Sequence, residues 1–247
     1  MFYSGHDADT DHQEGAVYLW TEEELKRNLT DEEFDKFREV YDLSGESGFE
    51  GRLHLIRKKD AFLEDLEEKL LRARKKRKQP LVDRKFITGL NCLAGTALIH
   101  YSRFVGGELD LKKAMLIFDR IIESHFRDEK LCHSSAGGDL QEQEFLEDHA
   151  ALVLFLTYLH EETGRYDTYL RHFCGKLKGF RNGSGHWMES LDTDFVPVMA
   201  ETVDHSLPSA SSLAELAVAR AGLFLGEQQG TAGLNDPLNA AFLNISA

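Results

Sequence analysis

The chain has 247 residues, of which 42% are apolar, enough for one large domain or two small ones around a real core. Its 29 basic residues face 43 acidic ones, a formal charge of −14, so nucleic-acid phosphates and anionic membrane surfaces are repelled on average. The longest apolar stretch, Ala150 to Leu159, is about half of what spans a bilayer, and MFYSGHDADT at the start has no apolar signal core; neither nucleic acid nor a membrane is an expected partner, and the cytoplasm is the expected compartment.

Residues 1–20 are rich in turn formers, and Ala16-Val17-Tyr18-Leu19-Trp20 reads as a short strand. Two capping boxes follow, Thr21 with Glu24 and Thr30 with Glu33, predicting helices over 21–28 and 30–40. Gly45, Gly48 and Gly51 mark a loop, Leu53-His54-Leu55-Ile56 reads as a second strand, and 58–78 reads as a charged helix stopped by Pro80. Leu63, Leu66, Leu70 and Leu71 lie on one face of that helix, and its basic end, Arg72 to Lys78, complements the helix dipole.

From Asp83 the pattern changes to a unit of roughly 57 residues that recurs. Each copy has a helix rich in small residues, a second helix alternating charge and bulk, and a Gly-rich loop. The helices are predicted over 87–105 and 110–126, then 145–163 and 166–180, while a third copy starts near 208 without an obvious second helix. The finished copies end alike, in Phe126-Arg127 and Phe180-Arg181, each followed by a loop histidine, His133 or His186. A single hairpin cannot bury its apolar face alone, so neighbouring hairpins must stack, as a solenoid or as a ring. Residues 226–247, rich in Gly, Gln and Asn, read as a flexible tail. Cys92, Cys132 and Cys174 form no Cys-x-x-Cys pair, which fits reduced, buried thiols.

Several segments together resemble one family. They are Phe2-Tyr3-Ser4-x-x-Asp7-Ala8-Asp9, Glu14 to Thr21, Gly48-Phe49-Glu50-Gly51, Arg77-x-x-Pro80-x-x-Asp83-x-Lys85-x-Ile87-Thr88, Phe145-Leu146-Glu147-Asp148 and Asp204-x-x-x-Pro208-Ser209. In order and spacing they resemble the thioredoxin-domain-containing, spermatogenesis-associated family. The resemblance implies an all-α fold, a partial α/α toroid of the six-hairpin glycosidase kind with short β hairpins between helix pairs, here without the thioredoxin domain. On that reading 1–82 is an N-terminal part of the toroid, 83–225 holds the repeated hairpins and 226–247 is the tail. Leu90-Asn91, Asp148-His149 and Pro208-Ser209-Ala210-Ser211 stand where the family usually has Trp-Asn, Asp-Tyr and Pro-Ser-Gly-Asn.

Sugar chemistry of this kind needs two carboxylates across a cavity, or a base and an acid on opposite sides of the substrate. Glu147, Asp148 and His149 open the second inner helix, Asp204 and His205 precede the third, and Asp83 precedes the first. In a ring these ends gather at one rim, so Asp148 and His149 are the acid/base candidates, with Asn91, Trp187, Asp204 and His205 binding substrate; alternatively Asp83, Glu147 and Asp204 only cap helices. Asp7, Asp9, His6, His12 and Glu14 match no Ca²⁺ loop, and His160-Glu161-Glu162 lacks the second histidine of a zinc-protease helix. No metal is expected. Without a phosphate loop, dinucleotide fingerprint or nucleophile elbow, no cofactor is expected either. The expected ligand is a carbohydrate; the alternative is a non-catalytic helical scaffold or fragment that needs missing hairpins or self-association.

Overall fold

The computed structural model describes residues 1–44, 51–191 and 198–226, which fall into two compact units. The first runs from Gly5 to Asp83. Its edge strands β1 (Gly5–His6) and β6 (Val82–Asp83) pair antiparallel, and β2 (Asp9–Thr10) pairs with β3 (Gln13–Glu14) around a turn in which Asp11 and His12 take positive φ. Helices α1 (Glu22–Asn28) and α2 (Asp31–Val40) each start with a complete capping box. In both, the threonine side chain accepts from the third residue's amide and that residue's glutamate accepts from the threonine amide. Strand β4 (Tyr41–Asp42) pairs with β5 (Ile56–Arg57), and α3 spans Glu64–Lys75. The core here is Trp20, Leu25, Leu29, Phe34, Phe37, Val40, Tyr41, Leu53 and Leu70.

Three local expectations change. Residues 16–18 form a turn after Gly15, and only Trp20 bridges, to Leu53, so the expected strand over Ala16–Trp20 shrinks to one rung. The second strand moves to Ile56–Arg57. The charged helix begins at Glu64 instead of 58, because the Glu67 carboxylate reaches back to the Leu63 amide (3.3 Å) and defines the first turn there. Arg77, beyond the helix end, donates to the carbonyls of Val17 (3.0 Å) and Leu19 (2.6 Å) and lies over the Trp20 ring, which accounts for one charge of the basic run. The loop expected at Gly45 and Gly48 lies outside the described residues, as does the tail apart from Gly226, which ends the last helix at φ 68°.

The second unit comprises Met1–Ser4 and the chain from Arg84 onward. Strand β7 (Phe86–Ile87) leads into α4 (Thr88–Phe104), followed by α5 (Glu108–His125). A first hairpin, β8 (Phe126–Arg127) with β9 (Lys130–Leu131), leads to a second, β10 (Ser134–Ala136) with β11 (Asp139–Gln141), whose two-residue turn needs the positive φ of Gly137 and Gly138. Helices α6 (Leu146–Thr163), α7 (Asp167–Lys178) and α8 (Ala210–Leu225) complete it. Helix α6 packs against α4 on one side and α8 on the other, α5 covers α4, and α7 covers α6 and α8. This is the two-layer arrangement of a partial α/α toroid, with α4, α6 and α8 inside, and short hairpins between helix pairs.

The small residues of the inner row allow that layering. Helix α6 is buried almost all round, and its Phe155 ring fills the space a side chain on Gly95 would take. Gly89 likewise faces Asp148: a Cβ there would stand 3.1 Å from the Asp148 Oδ1. All three cysteines are buried thiols. Among the described residues no helix is long and apolar enough to cross a membrane.

Candidate functional site

Hairpin β10–β11 pairs with β7 through Ser134 and Ser135, directly before α4. His133, the residue before β10, is held by its backbone: its carbonyl accepts from the Thr88 amide (2.9 Å) and its amide donates to Gln141 O (2.9 Å). The Thr88 hydroxyl donates to the neighbouring Cys132 carbonyl (2.6 Å). The His133 side chain is thereby directed to the start of α6, where Nδ1 donates to Asp148 Oδ2 at 2.7 Å and lies 3.7 Å from a Glu147 carboxylate oxygen. Asp148 Oδ1 accepts from the Gly89 amide at 2.7 Å. Its side chain is 0% exposed against 18% for His133.

The electrostatics follow from that contrast. Burial pushes the Asp148 carboxyl above its usual range, opposed by the bonds from His133 and Gly89. The bond to Asp148 holds His133 above the ordinary histidine value, against its own burial. Glu147 is also raised, by desolvation and then by Asp148, with Glu189 adding to this and His133 opposing it, although 57% of its side chain is exposed. A buried carboxylate fixing one nitrogen of a histidine leaves the other, Nε2, to exchange a proton with a ligand.

His133 lines a cleft of about 640 Å³, together with Gln141, Phe145, Glu147, Glu189, Glu201, Val203 and the segment His205 to Ala210. Part of its lining is held by irregular pairing: the Glu189 amide donates to Val198 O and its carbonyl accepts from the Leu146 amide, and the Ala200 amide donates to Trp187 O. Phe145 contributes an aromatic ring 4.9 Å from the imidazole of His133. Among the described residues, His133, Glu147 and Asp148 are the trio whose potential metal-ligating atoms lie within 4.8 Å of one another.

The structure separates the residues expected at one rim. His205 lines the cleft and is paired with Glu201 (3.0 Å). Asp204 stands beside it but accepts from the Ser209 amide (2.8 Å) at the start of α8, a cap that holds its carboxyl below the usual range. Asp148 lies behind His133. His149 is buried under Phe180, its Nε2 bonded to Glu144 (3.1 Å) and its Nδ1 without a partner. Asn91 is turned to the N-terminal segment: it accepts from the Phe2 amide (2.6 Å) and donates to the carbonyls of Phe2 (3.1 Å) and Ile87 (2.9 Å). Trp187 is buried beneath the Arg181 guanidinium and donates its indole N–H to Glu215 (2.8 Å). One continuous polar rim is therefore corrected to a cleft reached by His205 and, through His133, by Asp148.

Sequence reasoning passed over His133, Phe145, Glu189 and Glu201 as site residues. The usable signal was the repeat itself, which places a histidine after each Phe-Arg ending; of the two, His133 meets carboxylates, whereas His186 lies in the exposed turn after Asn182.

No protein-family model matches the chain and no curated protein matches its sequence. Several solved structures are similar to it, among them two enzymes. One is a sugar epimerase from a ruminal bacterium, at 16% identity over 68% of this chain and 44% of that one, with a TM-score of 0.47. The other is a family 105 glycoside hydrolase from C. acetobutylicum, at 14% identity over 67% of this chain and 53% of that one, with a TM-score of 0.48. The chain thus spans about half the length of each.

Proposed function

We propose that the cleft binds a carbohydrate or similar polyol and that His133, oriented by Asp148, is the group that takes and returns a proton there. The observation that carries this reading is the bond from His133 Nδ1 to a fully buried Asp148, at the edge of a cleft large enough for a sugar. A sugar has polar edges and apolar faces. The cleft offers Gln141, Ser206 and Ser209 for the edges and Phe145, Leu207 and Pro208 for a face. The resemblance to the thioredoxin-domain-containing, spermatogenesis-associated family, with its glycosidase-like toroid, supports the same substrate class. The reaction that suits one histidine with a flanking carboxylate, Glu147, is proton transfer next to a carbonyl or at a glycosidic oxygen. A panel of neutral sugars and polyols, followed by thermal shift and by NMR exchange of the sugar's C–H in heavy water, tests it. Stabilisation by one sugar class, with exchange lost in His133→Gln, is the expected result; no sugar shifting the melting temperature removes the reading.

A second reading, a helical module that self-associates, rests on a different observation. Tyr101, Phe104, Val105 and Leu109 are large, apolar and exposed around the α4–α5 turn, as interaction surfaces often are. Sedimentation across concentration tests it, and a monomer throughout removes it.

A further inference from the structure

The charges in the cleft bear on what kind of polyol it takes, an inference that rests on the proposed function. Glu147, Glu189 and Glu201 line it, Asp148 stands directly behind His133, and neither lysine nor arginine is among the described lining residues. The opposing basic side chains are His133, His205, which is already paired with Glu201, and Lys85, which acts on His133 from outside the lining. Interspersed with these carboxylates, the lining has apolar residues: Phe145, Met199, Val203, Leu207 and Pro208. The carboxylates also oppose one another: Asp148 and Glu189 both disfavour the charge on Glu147. A ligand cation placed among them relieves that repulsion, whereas a ligand phosphate or carboxylate adds to it.

We infer that the preferred ligand of the cleft carries a protonated amine on its polar side, as an amino sugar does, and that anionic sugars are excluded. The apolar lining residues and the size of the space fit an organic ammonium better than a bare ion, because an ion leaves most of the cleft unfilled.

The test is isothermal titration of the intact chain, at low and at high salt, with glucosamine, N-acetylglucosamine, glucose and glucuronate. Wild type is expected to bind glucosamine about five- to tenfold more tightly than glucose, since an exposed ion pair contributes up to about 1 kcal/mol and more than one carboxylate takes part. High salt is expected to shrink the preference, and Glu189→Gln and Glu147→Gln, checked for folding by circular dichroism, are each expected to reduce it. Equal binding of glucose and glucosamine, or tighter binding of glucuronate, overturns the amine and leaves the polyol reading standing. Binding of none of the four overturns both. Zinc or manganese chloride alone stabilising the chain, with the effect lost in Glu147→Gln and no amine preference, overturns the amine in favour of a metal held by His133, Glu147 and Asp148.

Discussion

His133 and Asp148 are joined Nδ1 to Oδ2 at 2.7 Å, the histidine partly in solvent and the carboxylate wholly removed from it. The charged histidine is therefore favoured by a partner that water cannot replace. In Asp148→Asn the Gly89 amide keeps an acceptor while the charge is gone. NMR titration is expected to show His133 protonated to higher pH than an ordinary histidine in wild type, and back near or below the ordinary value in the variant. Unchanged titration would mean that the bond does not set the charge of the ring.

The same pair predicts a pH dependence of stability. In the unfolded chain His133 has its ordinary value, 6.5, and in the fold it is raised. Below 6.5 both states hold the proton and the full contribution is present; as pH rises through the higher folded value the native state gives it up and the contribution is lost. Urea unfolding across this window is expected to show stability declining with pH in wild type, and the decline to be smaller in His133→Gln.

Glu144 predicts the opposite trend in acid. Its burial favours the neutral form, but bonds from His149 (3.1 Å) and the Leu131 amide (3.1 Å) outweigh this and keep its carboxyl below 4.5. The contribution is complete above 4.5 and disappears as pH falls through the folded value. Glu144→Gln, measured by the same unfolding series, is expected to flatten that acid limb.

Gly95→Ala tests the packing of the inner row. The added Cβ would stand 2.6 Å from Cε2 of Phe155, a ring with no exposed surface. The gain in helix propensity is about 1 kcal/mol, whereas overpacking costs about 1–3 kcal/mol, and a rigid buried ring puts this case at the upper end. A lower melting temperature is expected, partly restored by adding Phe155→Leu. A rise in stability would contradict the close approach of α4 and α6.

Glu215 accepts from both the Trp187 indole (2.8 Å) and the Arg181 guanidinium. Glu215→Ala leaves a buried N–H without a partner, which costs about 1–3 kcal/mol, and is expected to change Trp187 fluorescence as well as the unfolding midpoint. Trp187→Phe is expected to lower stability without altering sugar affinity, since the ring lies outside the cleft lining.

Much of the fold was legible because its causes are local. The boxes at Thr21 and Thr30 close within one turn, and the repeated alternation of small and bulky helices gave four helices to within a few residues of their observed ends and the start of a fifth. The site was less legible, because its partners are distant in sequence. Asp148 was named from its place at a helix start, but what it does depends on Gly89, 59 residues away, and His133, 15 residues away, brought together by β7 and β10. Asn91 was assigned to substrate, yet its side chain is taken up by Phe2, 89 residues away.

By itself, the sequence determined where helices start, which faces are apolar and that hairpins must stack, since backbone capping and side-chain periodicity act over one or two turns. Only the tertiary structure decided that His133, and not His149, reaches the cleft. Successive inner helices approach closely enough to bury some polar ends and leave others at the surface, and that depth depends on the packing of α4, α6 and α8 together.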